Sequence, residues 1–233
     1  MKKIILIGAS LFFLIACNNE QKTEEVKAET TKTEEEDHHH GHANHHMNKT
    51  DFTELAAGFE NPEREEWQKS AEVIKFFGDL KNKTVIDIGA GTGYFTFKIN
   101  EPSAKLIAAD PDDRFLDYMK KRLADSKSKN IEVRKAEYEN PPVEVNEADL
   151  VFMIDVYHHI ENRKEYFSKV KSGLKKAGKL VIVDFKKGDF EVGPPDEMKM
   201  DHSKIITELK EAGLVMTKTD TTTLPYQYML MFE

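Results

Sequence analysis

Thr84-Val85-Ile86-Asp87-Ile88-Gly89-Ala90-Gly91-Thr92-Gly93 decides the architecture. Its first half is apolar and rich in β-branched residues, the pattern of a strand buried on both faces. Its second half sets glycines at alternate positions, where backbone can take positive φ and a ligand can touch the main chain. A helix is expected from Tyr94. The loop lacks the Gly-Lys-Ser/Thr ending of a phosphate loop, and its Gly-x-Gly-x-Gly spacing departs from the dinucleotide pattern Gly-x-Gly-x-x-Gly. Downstream, apolar runs predict strands at 104–109, 131–134, 150–154, 180–185, 214–219 and 226–232. Amphipathic runs predict helices at 112–126, 161–176 and 203–212. Upstream, 51–55 reads as a short helix, and Asn61-Pro62-Glu63 starts a second one that Gly78 stops. Strands alternating with helices give a parallel, doubly wound α/β sheet. Asp110, closing the second strand, is placed to accept both hydroxyls of a ribose.

With loop, helix, strand and terminal acid in this order, the chain resembles the class I S-adenosylmethionine-dependent methyltransferases. Residues 85–94 match their first motif, and Asp110 matches the ribose-binding acid. Arg134-Lys135-Ala136-Glu137 stands where the family usually has Gly-Asp-Ala, Ala148 to Asp155 matches motif IV, and Leu174 to Leu180 matches the turn before the fifth strand. Leu209 to Leu214 matches the late helix. The resemblance runs over about residues 61–233 and is nearest the small-molecule branch that includes quinone methyltransferases. It implies a Rossmann-like, mostly parallel seven-stranded sheet with helices on both faces and an antiparallel final strand. It also implies S-adenosylmethionine as cofactor, held by Asp87, Gly89, Ala90, Gly91, Thr92, Gly93, Tyr94, Asp110, Pro111, Glu137 and Asp155. Methyl transfer is an in-line displacement, so positioning and desolvation can supply most of the acceleration.

On the acceptor side, Tyr157-His158-His159 follows the fourth strand, at the carboxyl edge where open α/β sheets bind ligands. His158 or His159 is a candidate general base, and Tyr157 a candidate to position the acceptor. The loop 188–200, and Phe59, Arg64 and Trp67 of the early helix, are candidates to cover it.

The 233 residues carry 34 Lys+Arg against 42 Asp+Glu, a net charge of −8. That balance argues against a general nucleic-acid binder. The single cysteine, Cys17, excludes an intrachain disulfide or a multi-cysteine zinc site. It follows Lys2, Lys3 and an apolar run from Ile4 to Ile15, the layout of a secretory signal. Leu14-Ile15-Ala16-Cys17 resembles the lipobox of bacterial lipoproteins, so residues 1–17 are expected to be a signal and Cys17 a lipid anchor in the cell envelope.

Residues 18–49 read as a disordered tether, with the folded domain spanning 50–233. The tether carries His38, His39, His40, His42, His45 and His46, a set suited to zinc, copper or nickel, with Gly41 and Asn44 suggesting a mobile loop. The expectation is a monomer that methylates a small-molecule or lipid-like acceptor, with no nucleic acid partner. The competing expectation is a non-catalytic, envelope-tethered binding protein on the same scaffold.

Overall fold

Four of the five residues in Thr84–Ile88 are buried, because this strand lies at the centre of a sheet covered on both faces. The computed structural model describes residues 42–99, 101 and 104–233. Its strands are β1 (Thr84–Ile88), β2 (Lys105–Asp110), β3 (Ile131–Lys135), β4 (Ala148–Ile154), β5 (Leu174–Phe185), β6 (Met216–Asp220) and β7 (Gln227–Phe232). They form one seven-stranded sheet in the order β3-β2-β1-β4-β5-β7-β6. All pairings through β5 are parallel, while β7 runs antiparallel to both β5 and β6. The chain works outward from β1 to β3 and then returns to β4 on the other side. This places a topological switch point between the carboxyl ends of β1 and β4.

The helices are α1 (His42–Lys49), α2 (Phe52–Phe59), α3 (Arg64–Gln68), α4 (Ser70–Phe77), α5 (Asp113–Asp125), α6 (Arg163–Gly173) and α7 (His202–Glu211). Asp51, Asp112 and Asp201 cap α2, α5 and α7, each accepting from a backbone N–H two residues on at 2.8 Å. One sheet face packs Ile86, Val151 and Ile182 against Phe167, Val170, Ile205 and Leu209 of α6 and α7. The other packs Val85, Phe152 and Val181 against Val73, Phe76 and Phe77 of α4. Phe77 stacks on Phe152 with ring centres 4.7 Å apart.

Four local expectations change, the first being the single helix expected from Asn61 to Gly78, which breaks at Lys69 (φ 46) into α3 and α4. The helix expected from Tyr94 is a single 3-10 turn, Thr96–Lys98. Thr96 spends its hydroxyl on Asp87, and the β-branched Thr96 and Ile99 are weak helix formers. The turn expected before the fifth strand is instead a bulge inside β5, where the pairing with β4 slips between Ala148 and Leu150. A Cβ on Gly178 would stand 2.9 Å from the Ala148 carbonyl oxygen, so the bulge closes only around glycine. Finally, Asn44 lies in helix α1 and is buried, where a mobile loop was expected. The signal, Cys17, the expected tether up to residue 41, and with it His38, His39 and His40, lie outside the described residues. No described helix is long and apolar enough to cross a membrane.

Candidate functional site

The glycine loop leaves β1 with positive φ at Gly89 and Gly91. A Cβ on Gly89 would lie 2.5 Å from a methyl of Val156, so the loop can pass the end of β4 only as glycine. Gly89 and Ala90 donate to the Ala109 carbonyl at 2.8 and 3.0 Å, which ties the loop to β2. Asp110 completes the tie: its carboxylate accepts from the Gly91 N–H and the Asp112 N–H, both at 2.9 Å. Asp87, buried near the end of β1, accepts from Thr96 Oγ1 at 2.7 Å. Burial pushes Asp87 up to about 7, with the Asp110 charge adding to the shift, and burial pushes Asp110 up to about 6. Thr92 Oγ1 is buried with no hydrogen-bond partner among the described residues. Two strand-end carboxyls thus flank the glycine loop at the carboxyl ends of β1 and β2.

The remaining residues expected on this side lie around that centre. Tyr94 is buried, donating to Glu65 at 2.8 Å under the Arg64 guanidinium. Pro111 offers its carbonyl to Lys135. Glu137 is exposed, with its carboxylate turned to Asn140 at 2.8 Å. Asp155 takes φ 61 after β4 and accepts from Gln68 and Gln227, with Arg64 at 3.9 Å. Burial and the Asp184 charge raise it to about 6.

The early helices cover a different place from the one expected. Phe59 lies over Gly91, 3.1 Å from where a Cβ would be, and stacks on Phe115 of α5 at 5.4 Å. Arg114 of α5 donates to the Thr50 and Met47 carbonyls, and Arg122 pairs with Glu60 at 2.7 Å. The segment 47–60 is therefore strapped across the glycine loop. Trp67 packs on Phe185, with ring centres 5.6 Å apart.

On the acceptor side, His158 Nδ1 is 3.2 Å from both oxygens of fully buried Asp184 in β5. Burial disfavours the imidazolium, but Asp184 outweighs it and holds His158 above its usual value. His159 donates from Nδ1 to Asn44 Oδ1 at 2.9 Å, and Asn44 returns a bond to the His159 carbonyl. Burial and the neighbouring His158 lower His159 to about 3, which leaves it neutral. Tyr157 faces the core: it is buried, stacked on Phe167 and donating to Glu208 at 2.7 Å, so it does not position an acceptor. A cavity of about 560 Å³ opens beside His158 and His159, walled by the loop after β5 through Lys187, Met198, Lys199 and Met200. Asp184, Asn44 and Lys199 were missed from sequence. An acid inside the apolar run Val181-Ile182-Val183-Asp184-Phe185 is the signal that could have found the first.

Residues 79–226 match a family model described as a methyltransferase domain. The chain belongs to that family. Solved structures agree: a SAM dependent methyltransferase from Aquifex aeolicus superposes with a TM-score of 0.72 at 25% identity, over 79% of this chain and 98% of that one. Among curated relatives, a tRNA U34 carboxymethyltransferase of Cellvibrio japonicus is 29% identical over 133 residues, which is 54% of this chain and 41% of that protein. A demethylmenaquinone methyltransferase of Lactococcus lactis is 27% identical over 141 residues, 58% of this chain and 54% of that protein. The matches thus span about half or less of these relatives' lengths. In that domain the glycine loop and Asp110 lie at the carboxyl ends of β1 and β2. No group of three or more His, Cys, Asp or Glu suited to a metal occurs among the described residues. His42, His45 and His46 fall in helix α1.

Proposed function

We propose that the chain transfers a methyl group from S-adenosylmethionine to a small acceptor held in the cavity beside His158. The observation that carries this reading is the placing of Asp87 and Asp110 at the carboxyl ends of β1 and β2, on either side of a loop whose positive-φ glycines bring the main chain close to both. Asp110 would take the ribose and Asp87 the tail amine, and the cofactor when bound would supply an electrophilic methyl on sulfonium sulfur. His158, oriented through Nδ1 by Asp184, keeps Nε2 for the proton of an acceptor oxygen or nitrogen. The acidic net charge favours a small acceptor over a nucleic acid.

One observation favours the non-catalytic reading: Phe59 lies over Gly91. Methyl transfer therefore requires the strap 47–60 to lift. Calorimetric titration of the full chain with S-adenosylmethionine separates the two. Micromolar binding that weakens more than tenfold in Asp110→Ala supports the enzyme, and no binding supports the alternative. The lipid anchor belongs to the same proposal: Cys17→Ser should move the chain from the membrane fraction to the soluble fraction. Zinc, copper or nickel at the histidine run is proposed on composition alone, and deleting residues 38–46 should abolish metal uptake.

A further inference from the structure

Both histidines that line the cavity after β4 have committed one ring nitrogen, each to a group that fixes where its proton sits. Asn44 settles the tautomer of His159. Its Nδ2 donates to the His159 carbonyl at 3.1 Å, and a carbonyl only accepts. The amide is therefore turned with Oδ1 towards the ring, 2.9 Å from Nδ1. Oδ1 also only accepts, so the proton of the neutral ring is on Nδ1 and Nε2 keeps its lone pair. His158 is fixed in the same way, because its Nδ1 faces the carboxylate of Asp184 at 3.2 Å.

Neither Nε2 has a hydrogen-bond partner among the described residues, and neither is sealed from solvent, since Thr92 Oγ1 is the only buried and unpartnered side-chain N or O atom there. The two rings lie 4.3 Å apart, centre to centre, and tilt by 38°. They differ in charge. Asp184 holds His158 above its usual value, so it accepts and keeps a proton. Burial and the His158 charge keep His159 neutral, against the weaker pull of Asp184. A fixed acceptor thus stands beside a base. Resting on the reading of this cavity as the acceptor site, we propose that His159 is a specificity residue for a small acceptor with two donors on neighbouring carbons: a hydroxyl or amine that is methylated at His158, and a second O–H or N–H that donates to His159 Nε2. The first atom gives its proton to His158 Nε2 as it takes the methyl carbon, and the electron pair of the broken carbon–sulfur bond stays on sulfur. The second keeps its proton. Asn44 is a positioning residue that acts through His159, and because it belongs to α1 the recognition site is complete only while α1 is docked.

Two measurements on the full chain test this. Long-range proton–nitrogen NMR of the imidazoles at pH 7 should show His159 as the Nδ1–H tautomer, and Asn44→Ala should shift it towards Nε2–H. Calorimetry with saturating S-adenosylhomocysteine then compares catechol, which has two neighbouring donors, with phenol, which has one. Catechol should bind about tenfold tighter or more. His159→Phe keeps a ring but drops both nitrogens, and should bring the two ligands within threefold of each other. Asn44→Ala should lower the preference at least threefold, and it carries the prediction should His159→Phe not fold. An Nε2–H tautomer in the unsubstituted chain, catechol binding no tighter than phenol, or a preference that survives these substitutions overturns the proposal. S-adenosylhomocysteine, titrated first in every sample, confirms folding of each variant. Its failure to bind the unsubstituted chain would instead overturn the methyltransferase reading, and the tautomer measurement is independent of that result.

Discussion

Asp87 gives the sharpest test of the proposed cofactor site, because protonation should move binding and stability in opposite directions. Burial raises its carboxyl to about 7 despite the Thr96 hydrogen bond, so in the free chain it is largely protonated below neutrality. A ligand ammonium needs the carboxylate. Across a fall from pH 8 to pH 5.5, a group of pKa near 7 that must be ionised for binding costs about 30-fold in affinity, or roughly 2 kcal/mol. Asp110 and Asp155, both raised to about 6, titrate within the same window and steepen the slope, while Arg64 opposes it by favouring the Asp87 carboxylate. Stability of the free chain runs the other way. The folded pKa lies above the ordinary value, so the folded state binds the extra proton. This contribution is full below about pH 4 and is lost as the pH rises towards 7. Asp87→Asn should therefore raise the thermal midpoint of the free chain at pH 8, by at most about 4 kcal/mol of stability, and should remove the roughly 30-fold change in cofactor affinity that Asp87 contributes over this range. Calorimetry with S-adenosylhomocysteine at four pH values between 5.5 and 8 measures the slope. Affinity constant within threefold across that range, or a slope unchanged in Asp87→Asn, refutes the assignment.

Four further substitutions probe the rest of the site and the fold. His158→Ala should lower kcat by about 10²- to 10⁴-fold while leaving S-adenosylhomocysteine affinity intact. Removing its counter-charge with Asp184→Asn should move the acid limb of kcat/KM to lower pH, since Asp184 holds the His158 pKa up. Gly89→Ala forces a side chain into positive φ, 2.5 Å from Val156, and should abolish cofactor binding in titration; adding Val156→Ala should recover part of the lost thermal stability. Phe152→Ala, deleting the ring stacked on Phe77 in the centre of the sheet, should cost about 3–5 kcal/mol in urea unfolding with no change in the denaturant slope.

The fold was legible because its signals are local. β1 falls at the residues expected from its apolar run, and every other strand falls within a few residues of its expected place apart from the lengthened β5. The strand order needed the resemblance, since nothing in residues 131–154 says that the chain doubles back across β1. The positions of the candidate cofactor residues were legible for the same reason as the strands: Asp87, Asp110 and the glycines lie at strand ends, and their places follow once the strands are fixed. The acceptor side was not. Asn44 meets His159 across 115 residues of sequence, and Asp184 meets His158 across 26. Such pairings depend on how two loops pack, which periodicity does not encode. Tyr157 shows the converse failure: beside two histidines it looked functional, but its ring was needed to fill the space over Phe167.

The two halves of the site, on the proposed reading, do different work. The β1 and β2 tips present buried carboxyls, suited to a cationic donor, while the cavity after β4 and β5 presents His158, held by Asp184. A methyl moving from sulfonium to an acceptor that has lost its proton to His158 removes charge from both sides, so its transition state is less polar than its reactants. A dry, low-dielectric crevice favours such a step, because little solvation is given up as the charges disappear. The strap 47–60 is then more than an obstacle. With Phe59 and Phe52 around Phe115, it supplies the apolar cover that excludes water, provided it closes over the cofactor and not in its place. Phe59→Ala separates those roles: a strap that only blocks would give faster cofactor association with kcat unchanged, whereas a strap that also seals the crevice would give faster association together with a lower kcat. Stopped-flow binding and single-turnover rates measured on the same variant decide between them, and an unchanged association rate would remove the strap from the mechanism altogether.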